Sequence, residues 1–422
     1  MRRQHIALSM WLCTIVMLIT RLGILTSAQD WSLRGAEVRS LDYSPDGNYL
    51  AIGGGPFACV PPDEGIDISP FAIRIIDTQT GAILHTLEAH HCAVSAISWS
   101  PDGSQLASTG DDGRIYIWNG TTGEIAMRPQ GTDPRPKAGI TWDPDGHMVA
   151  EFSFQDQIVR IWDSTSGTNL AMLQHDNNQG QITAIAWRPD GTQIAAADQS
   201  GFLYIWDVTN VRTTGNGVLL NSYPDLPAAS LAWRSDGLLA LGGHEILIVD
   251  PDTGTIAHQE SGHDKAILSL AWHPDGVRLA SGGLDGMVRV WDTSTNTLIT
   301  SFDYGPYVLA VAWSPDGNTL AYGGVANEDV TIHQLPTAHA GPDQTITDAD
   351  GSSEEVVSLD GFSSSDSDGT VASYRWTEDD VEIATGVSPQ VELAVGIHTI
   401  MLTVTDNDGL TDTDTVTITV FE

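Results

Sequence analysis

Residues 93–127 carry the pattern that decides the fold: AVSAISWSPDGSQLASTGDDGRIYIWNGTTGEIAM. Apolar and polar residues alternate here in four short runs: Ala93–Ser98, Gln105–Ser108, Arg114–Trp118 and Ile125–Met127. Alternation with period two predicts four short antiparallel strands. The first two runs are joined by Ser100–Gly103, in which Pro presets φ for a tight turn and Gly supplies conformations that other residues resist.

The same turn recurs along the chain, once in a degenerate form without Pro: Ser44–Gly47, Ser100–Gly103, Asp143–Gly146, Arg188–Gly191, Arg234–Gly237, His273–Gly276 and Ser314–Gly317. A second mark recurs once in each unit, and successive marks are 42 to 44 residues apart. It is Trp-Asp in three units and an altered form in the other four: Ile76-Asp77, Trp118-Asn119, Trp162-Asp163, Trp206-Asp207, Val249-Asp250, Trp291-Asp292 and His333-Gln334. A four-stranded unit does not bury both faces alone, whereas a ring of stacked units does. The chain therefore predicts an all-β repeat architecture.

These marks resemble the WD-repeat β-propeller family, and the resemblance covers Trp31–Leu335. It implies seven blades. In that family the N-terminal segment supplies the outer strand of the last blade. Trp31–Gly35 is expected to do so here, because the last unit breaks off after His333.

The family also has a buried hydrogen-bond network that joins a His, a Ser or Thr, an Asp and the Trp of one blade. The resemblance implies this network at the following positions: His90, Ser95 (or Ala96), Asp112 and Trp118 in the second blade, His263, Asp285 and Trp291 in the sixth, and Asp156 and Trp162 in the third. In the fourth blade His175 and Trp206 remain, but Ser200 replaces the Asp. A His–Asp pair that recurs in register is scaffold, so we assign these residues a structural role and predict no catalytic residue.

The first unit carries an insertion, Gly53–Pro70, between its second and third strands. In propellers this connection opens on the same face as the loop that enters the next blade, here Ala89–Cys92. We therefore predict a disulfide between Cys59 and Cys92, which an oxidising compartment permits. A zinc site formed by these cysteines with His90 and His91 is the alternative, although adjacent His-Cys is not the usual ligand spacing. The insertion carries binding specificity or is merely tolerated.

From residue 338 the repeat gives way to a second domain, with 18 acidic residues and a single Lys or Arg, Arg375. Five segments alternate with period two: Val356–Asp360, Val371–Thr377, Gln390–Leu393, Thr399–Thr405 and Thr413–Val420. This spacing predicts a two-sheet sandwich with a hairpin turn at Asp406–Gly409.

Several short motifs of this segment resemble the PKD domain family, an immunoglobulin-like β-sandwich of extracellular proteins: Ala340–Gln344, Leu359–Gly361, Ser365–Gly369, Tyr374–Trp376 and Val404–Gly409. Trp376 is expected to be the core aromatic residue. Some family members respond to Ca²⁺, and Ca²⁺ takes clustered carboxylate oxygens. Four residues are candidate ligands: Asp366, Asp368, Asp406 and Asp408. The alternative is that these residues cap turns, and we predict no other cofactor.

The N-terminal segment 1–28 has the features of a secretory signal peptide: Arg2 and Arg3, the apolar run Ile6–Ile19 and the small residues Thr26–Ala28. An uncleaved anchor is the alternative. The predicted domains are therefore the signal segment 1–28, the propeller 29–337 and the sandwich 338–422. A formal net charge of −37 excludes nucleic acid as a partner, because phosphate binding requires clustered Lys and Arg.

The sequence contains no Gly-x-Ser-x-Gly, His-Glu-x-x-His or phosphate-binding Gly loop. We predict a non-catalytic binding or scaffold protein, secreted or on the cell surface, with the periplasm as the alternative compartment. One propeller face would bind a protein or peptide, and the sandwich would act as a spacer or contact a surface polysaccharide. We expect a monomer without a membrane span after cleavage. Two alternatives are a propeller hydrolase or lactonase with a site at the channel mouth, and a Ca²⁺-dependent adhesin.

Overall fold

The structure is a computed structural model. It describes residues 37–56, 59, 71–129, 134–155, 157–174, 180–325, 330–348 and 351–422. Contacts divide the chain into two compact units. The second unit comprises Asn318–Leu320 and Ile332–Glu422, and the first contains the remaining described residues.

The repeats form seven consecutive antiparallel sheets, here called blades 1 to 7. The strands of blades 1 to 4 are β1 (Val38–Tyr43), β2 (Tyr49–Gly54), β3 (Ile73–Asp77), β4 (Ile83–Leu87); β5 (Val94–Trp99), β6 (Gln105–Gly110), β7 (Ile115–Asn119), β8 (Ile125–Met127); β9 (Gly139–Trp142), β10 (Met148–Phe152), β11 (Ile158–Asp163), β12 (Asn169–Gln174); β13 (Ile182–Trp187), β14 (Gln193–Asp198), β15 (Leu203–Asp207) and β16 (Val218–Tyr223). A short helix, α1 (Val211–Thr214), interrupts blade 4.

Blades 5 to 7 continue the pattern, with strands β17 (Ser230–Trp233), β18 (Leu239–Gly242), β19 (Ile246–Asp250), β20 (Thr255–Glu260); β21 (Ile267–Trp272), β22 (Arg278–Gly283), β23 (Met287–Asp292), β24 (Thr297–Asp303); β25 (Val308–Trp313), β26 (Thr319–Gly324) and β27 (Thr331–Gln334). Among the described residues blade 7 has three strands. The segment expected to add its fourth, Trp31–Gly35, lies outside those residues.

The first strands of the blades form a closed ring, in which β1 contacts both β5 and β25. Most of them end in Trp, and three of these indoles donate a hydrogen bond to the first strand of the preceding blade, for example Trp142 Nε1 to Ser98 O at 2.9 Å. The Pro-Asp-Gly turns of neighbouring blades also lie against each other around the ring. A β-carbon on Gly103, where φ is +70°, would lie 3.5 Å from Cδ of Pro45, and one on Gly47 would lie 3.7 Å from Cδ of Pro315.

Strand direction gives the ring two faces. The Pro-Asp-Gly turns and the connections from third to fourth strand lie on one face, here called the turn face. The connections from second to third strand, and from each blade to the next, lie on the other, here called the insertion face because it carries the segment after β2. The core between the blades is apolar, with Trp118, Trp206 and Ile161 at most 2% exposed.

The second unit contains a five-stranded sheet, in the order β28-β34-β33-β30-β31, and a two-stranded sheet of β29 and β32. These strands are β28 (Gln344–Thr347), β29 (Glu354–Ser358), β30 (Val371–Glu378), β31 (Val381–Thr385), β32 (Gln390–Ala394), β33 (Gly396–Asp406) and β34 (Thr411–Phe421). Trp376 is fully buried in its core and donates a hydrogen bond from Nε1 to Gly386 O at 2.9 Å, which confirms its predicted position. The sequence pattern missed β28, which pairs in parallel with β34, and β31.

Candidate functional site: the insertion face of the propeller

The two faces differ in how uniform their loops are. On the turn face, the connection from first to second strand is five residues long in all seven blades, and the connection from third to fourth strand ranges from four residues (251–254) to ten (208–217). On the insertion face, the connection from second to third strand ranges from three residues (243–245) to 18 (55–72). The connection between consecutive blades ranges from four (304–307) to 11 (128–138). The longest connections and the widest range of connection lengths therefore lie on the insertion face.

A disulfide joins two loops of this face. Cys59, in the insertion of blade 1, is bonded to Cys92, in the loop that enters blade 2, with their α-carbons 4.3 Å apart. The predicted pairing is confirmed, and it excludes the alternative zinc site because both sulfurs are already bonded. The rest of the insertion, residues 57–58 and 60–70, lies outside the described residues.

Charged side chains converge at the inner edge of the insertion face. Arg39 donates a hydrogen bond from a terminal guanidinium nitrogen to Asp111 Oδ2 at 2.9 Å, and its Nε lies 3.9 Å from Glu37 Oε2. Ser95 donates to the other oxygen of Asp111 at 3.3 Å. Burial raises the pKa of Glu37 to about 7, against the opposing effect of the Arg39 charge. These groups offer a ligand both hydrogen-bond donors and acceptors.

Backbone irregularity explains why Arg39 and Ser95 reach this position. The register of β1 against β2 shifts between Val38 and Ser40, and that of β5 against β6 shifts between Val94 and Ala96. Arg39 and Ser95 are thus the extra residues of two β-bulges. A bulge re-aims a side chain away from the regular ladder.

Because Ser95 lies in a bulge, its predicted place in the hydrogen-bond network of blade 2 is wrong. The hydroxyl at its centre belongs to Ser108 on β6, and not to Ser95, which the bulge directs to Asp111 instead. His90 lies 2.9 Å from Ser108 Oγ through Nε2 and 3.1 Å from Asp112 through Nδ1. Trp118 Nε1 donates to Ser108 Oγ at 2.8 Å. An ionised carboxylate can only accept, so His90 Nδ1 donates to Asp112.

Blade 6 repeats this network. His263 lies 2.9 Å from Asp285 and 2.8 Å from Ser281 Oγ, and Trp291 Nε1 donates to that hydroxyl at 2.8 Å. Despite burial, hydrogen bonds from His263 and Arg289 lower the pKa of Asp285 to about 2. Ser108 and Ser281 were missed, yet each stands seven residues after its turn proline, a register that comparison of the repeats reveals. Both networks are internal to their blades, as a scaffold role requires.

The other predicted network positions are less complete. Trp162 in blade 3 and Trp206 in blade 4 are buried, whereas Asp156 and His175 lie outside the described residues. In blade 4, Asp198 accepts a hydrogen bond from Tyr204 Oη at 3.0 Å and from the N–H of Ser200 at 2.8 Å.

Blade 3 contains a buried ion pair that the sequence pattern did not reveal. Lys137 Nζ lies 3.0 Å from Glu151 Oε1, and both side chains are fully buried. Arg160 approaches the same oxygen at 3.9 Å. Glu151 stands seven residues after Pro144, the position that Ser108 holds in blade 2. An ion pair therefore occupies the site of the hydroxyl network.

The four aspartates predicted to bind Ca²⁺ lie in two loops of the second unit. Asp406 is buried and caps the β33–β34 turn, accepting from the N–H groups of Asp408 and Leu410 at 2.8 Å. Burial and its hydrogen bond to Asp368 raise the pKa of Asp366. Asp368 and Asp408 lie close to His333, which sequence reasoning did not consider as a ligand.

Comparison with known proteins agrees with this architecture. The family "WD domain, G-beta repeat" matches residues 28–55, 81–119, 167–207 and 254–292, and a family of PKD domains matches residues 340–420. A solved structure, the β-propeller domain of Myceliophteria thermophila Cps50 (Swd1), superposes with a TM-score of 0.60 at 17% identity. It covers 72% of this chain and 99% of that one. The chain thus combines a WD40-repeat β-propeller with a PKD-like β-sandwich domain.

Curated relatives match the repeats. "Cell division cycle 20.1, cofactor of APC complex" of Arabidopsis thaliana is 31% identical over 33% of this chain and 30% of its own length. "Intraflagellar transport protein 80 homolog" of Mus musculus is 28% identical over 50% of this chain and 26% of its own length. The chain therefore spans less than a third of either relative. Within the described residues, no helix has the length and apolar character that crossing a membrane requires.

Proposed function

We propose that the protein is a non-catalytic binding or scaffold protein whose insertion face holds a protein or peptide partner. The observation that carries this proposal is the contrast between the two faces. The turn face combines first-to-second strand turns of constant length with third-to-fourth connections of four to ten residues, whereas loops of three to 18 residues cover the insertion face. Loops that vary on a constant scaffold are where binding specificity resides.

The chemistry of the insertion face supports a polar partner. Arg39, Glu37 and Asp111 lie together at its inner edge, so a peptide with charged or hydrogen-bonding side chains would find complementary groups there. The Cys59–Cys92 disulfide restrains the longest loop beside them, which lowers the conformational entropy lost on binding.

The same disulfide supports a location outside the cytosol, secreted or on the cell surface, because disulfides persist in oxidising compartments. The two relatives named above are, by their names, a cofactor of a complex and a transport protein, which fits a role in protein association. The PKD-like domain would then act as a spacer or a surface contact.

Capture from the surface and culture fractions of the source organism tests the proposal. The full chain, immobilised through a C-terminal tag, is compared with two charge reversals at exposed aspartates. Asp264→Lys changes the loop 261–266 on the insertion face, and Asp252→Lys changes the turn 251–254 on the turn face.

We expect a partner retained at micromolar concentration by the wild type and by Asp252→Lys, with weaker retention by Asp264→Lys. If no protein is retained, or if only Asp252→Lys loses its partner, the proposal is wrong.

A further inference from the structure

Three potential metal ligands from distant parts of the sequence meet within the second unit. His333 lies on β27, Asp368 precedes β30, and Asp408 lies in the β33–β34 turn. One ligand atom from each residue lies within 4.8 Å of the other two. His333 Nδ1 and Asp408 Oδ2 are 3.1 Å apart. Three side chains are therefore gathered around one point.

Hydrogen bonds hold the segments that carry these ligands. Asp368 Oδ2 accepts from the N–H of Gln334, next to His333, at 2.8 Å. The loop of Asp368 and the turn of Asp408 are joined by the N–H of Thr370, which donates to Asn407 Oδ1 at 2.6 Å, and by the N–H of Asn407, which donates to Thr370 O at 3.0 Å. The segments that carry the three ligands are thus held together before any ion arrives, and such preorganisation favours binding.

The charge around the cluster also favours a cation. Asp366 and Asp406 lie beside the two aspartate ligands, and their carboxylates interact with them electrostatically. The second unit contains a single Lys or Arg, Arg375, and its guanidinium is 3.0 Å from Glu382. The one Lys or Arg residue in the sequence of this unit is thus paired with another carboxylate.

The ligand types select the ion. Ca²⁺ and Mg²⁺ bind through oxygen atoms, whereas an imidazole nitrogen with carboxylate oxygens suits Zn²⁺ and related transition metals. Bonds of roughly 2.0–2.1 Å on a tetrahedral zinc ion place neighbouring ligands about 3.3 Å apart. The pair of His333 and Asp408 already has that spacing, and a side-chain rotation of Asp368 would close the rest.

We infer that His333, Asp368 and Asp408 bind a divalent transition-metal ion of the zinc type, with the remaining positions open to water or a partner's ligand. This site differs from the predicted Ca²⁺ site, because it depends on an imidazole and excludes Asp366 and Asp406 from the direct ligands. It is independent of the function proposed for the insertion face.

Calorimetric titration of the chelator-treated full chain with Zn²⁺ tests the inference, and Co²⁺ provides a spectroscopic probe of nitrogen ligation. We expect one zinc ion bound per chain, visible bands on addition of Co²⁺, and an affinity at least about tenfold lower in His333→Gln and in Asp368→Asn. The matched control is His398→Gln. His398 also pairs with a carboxylate, Glu378, at 2.7 Å, but among the residues that the structure describes no second carboxylate joins them in a three-ligand group.

Melting of each variant without metal shows whether it is folded, and only variants that melt as the wild type does are compared. The inference is overturned if Zn²⁺ does not bind, or if His333→Gln binds it as tightly as His398→Gln does. It is equally overturned if Ca²⁺ alone raises the melting temperature and His333→Gln leaves that shift unchanged, because the aspartates would then form an all-oxygen site.

Discussion

Blades 2, 3 and 6 each bury a polar side chain at the same position of the repeat, but blades 2 and 6 use a hydroxyl network there and blade 3 uses an ion pair. In all three, the residue seven positions after the turn proline lies on the second strand inside the blade. In blades 2 and 6 this residue is Ser108 or Ser281, at the centre of a network with His and Trp. In blade 3 it is Glu151, paired with Lys137. The repeat thus fixes where a buried polar group must lie, but not which group it is.

The two solutions differ in what their disruption costs. Loss of one partner of a neutral network leaves buried donors or acceptors unpaired, which costs about 1–3 kcal/mol. Loss of one partner of a buried ion pair leaves a charge in a medium of low dielectric, which costs about 3–5 kcal/mol. Blade 3 should therefore be the most sensitive of the three to substitution at this position.

The largest effect is expected when the ion pair of blade 3 is broken. Lys137→Met should lower the free energy of unfolding by about 3–5 kcal/mol, because the fully buried Glu151 would lose its nearest charged partner. Urea unfolding of the full chain measures this. Arg375→Gln is the control, since the pair of Arg375 and Glu382 is half-exposed and should contribute at most about 1 kcal/mol. Equal effects of the two substitutions would refute the role assigned to burial.

The covalent link between blades 1 and 2 should rank next. Cys59→Ser removes a bridge that closes a sequence separation of 33 residues, and the chain-entropy model assigns such a loop about 3–4 kcal/mol. The urea midpoint should fall accordingly. Reducing agent should lower the midpoint of the wild type and leave that of the variant unchanged. A midpoint of the wild type that is insensitive to reduction would contradict the prediction.

A smaller effect is expected in the hydroxyl networks. Ser108→Ala and Ser281→Ala should each cost about 1–3 kcal/mol, because His and Trp nitrogens lose their shared partner. Ser95→Ala, in the same blade as Ser108, is the matched control and should cost less than about 1 kcal/mol, since its one hydrogen bond is long at 3.3 Å. The reverse order would show that Ser95 is the network residue after all.

The last prediction concerns how stability depends on pH. Burial raises the pKa of Asp42 on β1 to about 7, although the N–H of Trp99 donates to its carboxylate at 2.6 Å. The folded state therefore holds a proton that the unfolded state releases near pH 4, so this group's contribution to stability falls as pH rises from about 4 to about 7. In Asp42→Asn this part of the pH dependence should disappear. Urea midpoints across that range would be parallel for the two proteins if the interpretation were wrong.

Much of this architecture could be predicted from the sequence because characteristic turn residues mark each repeat. The Pro-Asp-Gly turns and the near-constant interval between Trp-Asp marks indicated the WD40-type propeller, and the loop positions of Cys59 and Cys92 indicated their disulfide. The bulge at Ser95 was beyond this reasoning, since it depends on how β5 pairs with β6.

The polar clusters were harder to predict for the same reason. Lys137 and Glu151 are 14 residues apart, and Glu151 stands where blades 2 and 6 have Ser, so only the folded blade shows that the two residues pair. His333 lies 75 residues from Asp408 and stands where a repeat would have Trp, which drew attention to its lost role and not to a new one.

Hydrogen–deuterium exchange on the full chain, with and without the captured partner, tests the central claim that the insertion face is the binding surface. The account predicts slower exchange on partner addition in the loops 88–93, 111–114 and 261–266, with no change in the turns 44–48, 100–104 and 273–277. Protection confined to those turns, or spread equally over both sets, would contradict it.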